Sequence, residues 1–335
     1  MSIRKVQIGT EGTAGTAVAA STILRGEAGD IEDARVQVEV SEDVGYLAGT
    51  DRRYDAALLA VYDMPDTEAT FEQIDYIYCA GIDEDTAAAS DGGAGATGKI
   101  RSYILPTTAE HVLQTFTLEG RNATEPVMSE YNFVTKFSLS GAPQEAIKLT
   151  GTTWNGRQIT LQAYTTGLTL PAVEEMLFGK TSLYIDAIGG TMGATQKTGT
   201  LLGFNIDVVT GWEPLFTGEG QLYFTRPKFY PKKMSVTGSL TFEFDGTATA
   251  EEAFWKSKTA RKLRLKTVGS ALAVAGTGYT YKTHIFDACI KWTKFNVLDS
   301  TDGNDTVTAD WVARYNSTAD FFASFLTVNE VATLP

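Results

Sequence analysis

The side chains able to do chemistry are few and poorly grouped. His111, His284, Cys79 and Cys289 are the only histidines and cysteines in 335 residues. None stands at ligand spacing from another, so neither a tetrahedral zinc site nor a facial triad is built locally. Both histidines begin strand-like runs, which suits exposed or edge imidazoles better than a general base with a local partner. Gly93-Ala-Gly-Ala-Thr-Gly98-Lys99 has the Gly-x4-Gly-Lys spacing of a phosphate-binding loop. Such a loop follows a strand and opens a helix, so that backbone N–H groups face the phosphate. Here Ile100 replaces the magnesium-binding hydroxyl, a polar stretch precedes and a strand follows. Gly9, Gly12 and Gly15 likewise lack the leading strand of a dinucleotide fingerprint. The clusters Asp83-Glu84-Asp85 and Asp299, Asp302, Asp305 do not match a twelve-residue calcium loop and read as solvated turns. No nucleophile elbow is present. No catalytic residue, metal or cofactor is expected, and an enzyme is not.

The elements that would position a site are those of a large acidic protein. The chain carries 28 basic and 41 acidic residues, a net charge of −13, with 43% hydrophobic residues. That is ample for a buried core, and the length allows two domains. An acidic balance argues against a protein that grips nucleic acid. No apolar run reaches the ~18 residues of a membrane span, and Met1–Ile8 lacks the apolar segment of a signal peptide. Two distant cysteines in apolar surroundings suggest a reducing compartment. The expectation is a soluble, intracellularly made protein.

Residues 1–28 hold several glycines without apolar periodicity and read as an extended arm. Val36, Val38 and Val40 then alternate with Arg35, Gln37 and Glu39, the period of a half-buried strand. A second run covers 53–62, an amphipathic helix 68–81, and a mobile surface loop 83–98. Strands are expected at 100–105, 111–118, 131–139 and 146–154. In the second half they are expected at 201–209, 234–244, near Tyr279, at 285–297 and at 306–314. Met234, Val236, Leu240, Phe242 and Phe244 alternate there with Ser235, Thr237, Ser239, Thr241 and Glu243. A helix begins at Ala248, and the basic run Lys256–Lys266 reads as its solvated face or as a contact for an acidic partner.

An internal repeat organises these elements. Thr135-Lys-Phe recurs as Thr293-Lys-Phe, 158 residues later, and Trp154 recurs as Trp311, 157 later. A near-constant offset over a hairpin, with strand, strand and helix before it, implies duplication of a domain of about 150 residues. The expected division is 1–28 arm, 29–165 first domain and 166–335 second domain. Up to residue 167 there are 24 acidic and 12 basic residues, net −12; the remainder has 17 and 16, net −1. Trp154 and Trp311 are expected to pack their hairpins.

The strings Gln7-Ile-Gly-Thr-Glu-Gly-Thr-Ala-Gly-Thr16, Gly45-Tyr-Leu-Ala-Gly-Thr50, Ala69-Thr-Phe-Glu72 and Tyr131–Gly141 carry a resemblance. The chain resembles the tail tube (major tail) protein of long-tailed bacteriophages, in its two-domain form. The resemblance implies a mainly β fold: two tandem β-sandwich domains, each with a flanking α-helix, whose inner sheets form a β-barrel tube on assembly. It implies homotrimeric rings, stacked into a conduit for double-stranded DNA and a sheath for the tape-measure protein. Tail terminator and distal tail or baseplate proteins would be further partners. The protein would be assembled in the host cytoplasm and reside in the virion. Arg35, Gln37, Glu39, Ser235, Thr237, Ser239, Thr241 and Glu243 become candidates for the lumen wall. Ile8, Gly9, Tyr46, Leu47, Asp83, Asp85, Lys256, Lys258, Arg261 and Lys262 become candidates for contacts between subunits or rings. The alternative is another phage β-sandwich protein, a capsid decoration or a glycan-binding fibre.

Overall fold

Alternation of apolar with hydroxylic or charged residues runs through most of the chain, and it folds as antiparallel strands. The computed structural model describes residues 3–84, 89–301 and 303–334. It is mainly β, with large antiparallel sheets, two α-helices among the described residues and no closed barrel. The first half contains β1 (Gln7–Thr10), β2 (Thr22–Ile23), β3 (Glu32–Asp33), β4 (Val36–Glu39), β5 (Arg53–Ala57), β6 (Ala60–Met64) and β7 (Thr67–Glu68). Helix α1 (Ile74–Gly81) follows, then β8 (Ala89–Ser90), β9 (Lys99–Ile104), β10 (Phe116–Arg121), β11 (Pro126–Gly141), β12 (Lys148–Gly156) and β13 (Ile159–Leu161). The second half contains β14 (Thr181–Ala187), β15 (Gln196–Lys197), β16 (Leu201–Val209), β17 (Trp212–Leu215), β18 (Arg226–Phe229) and β19 (Ser235–Glu243). After α2 (Gly246–Lys256) come β20 (Arg261–Ala271), β21 (Tyr281–Phe295), β22 (Asp299–Thr301), β23 (Asn304–Ala313) and β24 (Ala323–Asn329).

The hairpins β11–β12 and β21–β23 pair in the same register around a bulge at the same place. Val134 opposes Trp154 and Lys136 opposes Thr153, with a bulge at Thr135. Trp292 opposes Trp311 and Lys294 opposes Asp310, with a bulge at Thr293. Both bulge threonines donate through Oγ1 to the opposite strand's carbonyl, Thr153 O at 3.3 Å and Asp310 O at 3.0 Å. A bulge re-aims the strand, and the long strands β11 and β21 each serve two sets of partners. The early part of β11 lies between β10 and β13, and that of β21 between β20 and β24. Their later parts pair with β12 and β23. These carry Trp154 and Trp311, both buried, with neither indole N–H finding a protein acceptor among the described residues.

The later parts join into one path of eight antiparallel strands, β3–β6–β12–β11–β16–β19–β23–β21. The halves meet in its middle, where Lys136–Gly141 of β11 pair with Phe204–Val209 of β16. The first half also reaches into the second, because β9 adds itself to the edge of β24.

Several expectations are corrected. Residues 7–10 are not an extended arm but strand β1, paired with β10 over four positions. Val6 and Ile8 supply its buried side chains, and Gln7 donates to Thr165 O at 3.1 Å. The helix expected over 68–81 starts at Ile74, because Thr67 and Glu68 are held as strand by Leu149 and Lys148. Every residue of α1 is buried, so it has no solvent face. Within the expected mobile loop, Asp91 is buried and its carboxylate accepts from the backbone N–H groups of Gly278 and Tyr279, at 3.0 and 2.8 Å. The strand expected from His111 begins at Phe116, the runs near Tyr279 and at 285–297 are the single strand β21, and β14 and β24 are strands in addition to those expected. The basic run is no helix face: α2 stops at Lys256, and Arg261–Lys266 alternate along β20.

Candidate assembly surface

The eight-strand path has two unlike faces because its strands alternate. Towards the core point Phe137, Leu139, Ile206, Val208, Val236, Leu240, Phe242, Ala309 and Trp311, all buried. The other face presents hydroxyl, amide and carboxylate groups: Ser138 and Asp207 are linked at 2.6 Å, Thr241 and Thr308 at 3.0 Å, and Asn205 donates to Asp207 at 2.6 Å. Ser235, Thr237, Ser239, Thr241 and Glu243 lie together on β19, half-buried on this face. It is closed by side-chain hydrogen bonds and offers phosphates few cations, with Lys136 the basic side chain on β11's stretch of it.

The other proposed wall residues are elsewhere. Arg35, Gln37 and Glu39 belong to the hairpin of β4 and β5, a separate two-stranded sheet. Arg35 bonds Asp33 and Asp55, Gln37 donates to Asp55 at 3.0 Å, and Glu39 pairs with Arg53 at 2.9 Å. The hairpin is largely exposed, with Val36 52% and Tyr54 55% accessible, and the expected half-buried alternation holds at Val38 and Val40 but not at Val36. A matching two-stranded sheet, β17 with β18, follows β16 in the second half.

Of the proposed contact residues, Tyr46 (79% accessible) and Leu47 stand fully out at the hairpin's turn. Ile8 and Gly9 do not: both are buried inside the chain, and a Cβ on Gly9 would lie 2.6 Å from Ala19 O. Asp83 lies 3.2 Å from His111 Nδ1, and Asp85 falls outside the described residues. Lys256 is exposed and paired with Glu252 at 2.8 Å. Lys258 is exposed in a turn with φ of 57°. Lys262 donates to Gly190 O at 2.7 Å. Arg261 is buried: its guanidinium clasps Glu251 at 2.9 and 3.1 Å and lies 4.1 Å over the Phe254 ring, while Trp292 Nε1 donates to the same carboxylate. No part of the basic run contributes a strand to the eight-strand path.

Sequence reasoning missed the buried titratable groups. His284 is buried, not an edge residue, and its Nε2 is 2.7 Å from the Tyr78 hydroxyl. Burial holds its pKa down at about 4, so the ring is neutral. Asp75 on α1 accepts from Tyr103, Thr327 and Asn329, with Arg101 at 3.6 Å. Burial pushes its pKa up to about 6 against the pull of Arg101 and the three hydrogen bonds. Both groups bind α1 to β21 and β24, and neither opens into a cleft. Among the described residues no three His, Cys, Asp or Glu side chains converge as a metal site, and no helix is long and apolar enough to cross a membrane.

The path ends in two strand edges that no other strand among the described residues occupies. One is β3, paired only with β6. The other is β21 from Lys291 onward, paired only with β23. Beside the latter lies a cleft of about 530 Å³ with an aromatic floor of Phe254, Trp255 and Trp292. Its rim is Lys256, Lys258, Lys291 and Arg314, and no carboxylate lines it. The sequence matches no protein-family model and no curated protein.

Proposed function

We propose that the protein is a structural subunit that assembles with copies of itself into a hollow tube, the tail tube of a long-tailed bacteriophage, through which double-stranded DNA passes. In this reading each half is one β-sandwich domain with its helix alongside, and the chain is a tandem duplication. The observation that carries it is the continuous eight-strand path, formed by two register-matched halves and open at both ends. A sheet with unpaired edges is a template for another chain. A head-to-tail contact closes into a ring when its rotation allows, and three chains would supply six sandwiches to one barrel.

The acidic and hydroxylic face of the path would line the bore. Such a wall leaves phosphates unneutralised and repelled, so DNA slides without being gripped. The exposed hairpin turn with Tyr46 and Leu47 would reach the next ring. The basic run, with Arg261 buried against Glu251 and Lys262 bonded at the surface to Gly190 O, would stand outside the lumen. Tape-measure protein in the bore, and terminator and distal tail or baseplate proteins at the ends, complete the reading. Negative-stain electron microscopy of the concentrated protein tests it: long hollow tubes are expected, and single chains at every concentration and salt would refute it.

A further inference from the structure

The junction inside the chain is a template for the junction between chains. Where the halves meet, β16 pairs with β11 in the register Lys136 with Val209, Phe137 with Val208 and Ser138 with Asp207. Each of these residues has a counterpart at an edge that no other strand among the described residues pairs, with Trp255 Nε1 donating to Thr293 O at 3.2 Å beside the β21 edge. The matched hairpins map Lys136, Phe137 and Ser138 onto Lys294, Phe295 and Asn296. The pairing of β16 with β19 maps onto that of β3 with β6: Asp207 opposes Thr237 and Val208 opposes Val236, as Glu32 opposes Val61 and Asp33 opposes Ala60. Asp207, Val208 and Val209 thus correspond to Glu32, Asp33 and Ala34.

The cleft beside β21 fits the same template. At the internal junction the equivalent place is filled by the β17–β18 hairpin, whose Trp212, Phe224 and Phe229 cluster with Tyr131 and Phe133. Arg157 crosses that seam, donating to Phe224 O at 3.3 Å and Thr225 O at 3.1 Å. In the second half the counterpart of Arg157 is Arg314, exposed at the cleft rim, and the counterpart of Phe133 is Lys291, also exposed. The hairpin that would fill the cleft is β4–β5, where Gln37 replaces Trp212. Residues 29–57 carry eight acidic and three basic side chains, against a rim of four cations of which Lys256 is already paired with Glu252. Aromatic contacts at the internal seam are thus exchanged for polar or charged ones at the other, Gln37 for Trp212 and Lys291 for Phe133.

We propose that β3 and the β4–β5 hairpin of one copy dock on the β21 edge and basic cleft of a second copy, with Lys294 opposite Ala34, Phe295 opposite Asp33 and Asn296 opposite Glu32. This rests on the self-assembly reading and adds its partner surfaces and register. The Asn296 amide then donates to the Glu32 carboxylate, as Ser138 Oγ does to Asp207 at 2.6 Å. Arg314 reaches backbone carbonyls in the neighbour's hairpin, as Arg157 does within the chain. The contact is partly electrostatic and weakens with salt, whereas the internal seam does not.

Directly opposed strand residues have Cα atoms ~4.5–5.5 Å apart, within disulfide reach. The test mixes two full-length single variants, Glu32→Cys and Asn296→Cys, under mild oxidation, and measures sedimentation of each alone. The native cysteines are buried and do not compete. A covalent heterodimer is expected from the mixture and not from either variant alone, with Glu32→Cys plus Lys294→Cys, two positions out of register, linking far more slowly. If the unoxidised variants still polymerise but the mixture yields no heterodimer, the register is overturned and self-assembly stands. If the wild-type chain never polymerises and no pair links, both readings are overturned.

Discussion

Glu251→Ala is the sharpest probe of how the basic run is used. The Glu251 carboxylate is 1% exposed and accepts from Arg261 at 2.9 and 3.1 Å and from Trp292 Nε1 at 3.1 Å. Truncating it leaves a guanidinium that is 7% exposed with no counter-charge, and an indole N–H with no acceptor. Breaking a buried pair from one side costs about 3–5 kcal/mol. For a cooperative unit of 150–250 residues, that lowers the melting temperature by roughly 6–20 °C. Urea titration followed by tryptophan fluorescence measures it, since Trp255 and Trp292 flank the site. Pairing Glu251→Leu with Arg261→Met removes both charges and is expected to recover most of the loss. Lys256→Ala, which removes an exposed i,i+4 pair with Glu252, is expected to cost about 0.5 kcal/mol or less. A loss below about 1 kcal/mol for Glu251→Ala would place the pair with ordinary surface bridges and refute the argument.

Gly238→Ala puts a Cβ 2.1 Å from Asn205 O and 2.5 Å from the Trp311 ring, so β16 and β19 must part; a loss of about 2–3 kcal/mol in urea titration is expected. Gly246→Ala, in the first turn of α2 with nothing within 4 Å of the new methyl, is expected to gain about 0.5–1 kcal/mol in the same assay. His284 and Asp75 act oppositely on acid stability. Folded His284 takes its proton only near pH 4, against 6.5 when unfolded, so acidification across that window favours unfolding by about 3 kcal/mol. Folded Asp75 takes its proton near pH 6, against 3.8 unfolded, so acidification from 6 to 3.8 favours the fold by about the same amount. Asp75→Asn is therefore expected to expose a loss of stability between pH 7 and 4.5 that these two groups hide from each other in the wild type; a pH-independent variant would contradict this. Both cysteines are buried, and a thiol reagent is expected to label neither until denaturant unfolds the chain.

Strand periodicity carried much of this fold into view. The alternation from Ser235 to Glu243 survives as written, with Val236, Leu240 and Phe242 buried and the hydroxyls turned the other way. The Thr-Lys-Phe and Trp repeat is legible because the same bulge and the same threonine hydrogen bond occur twice. What escaped depends on partners distant in sequence. The pattern Val36, Val38, Val40 is that of a half-buried strand, yet among the described residues Val36 stays exposed and Val38 and Val40 are only partly covered. Ile8 and Gly9 sit in a glycine-rich stretch without local period, and pairing with Leu118 and Thr117 makes them strand. The run at 256–266 mixes a helix end with a strand, and only the long-range contact of Arg261 with Glu251 and Trp292 separates them. That long strands leave edges for neighbouring domains is legible in the sequence, but which edges stay unpaired is not, since an edge is defined by a strand that is missing.

Cryo-electron microscopy of the polymer formed by concentrated wild-type protein tests the central claim most directly. The account predicts a hollow tube in which one chain's Glu32–Asp33 strand runs antiparallel to its neighbour's Lys294–Asn296. Single chains alone, or a polymer joined through other surfaces with both edges still unpaired, would contradict it.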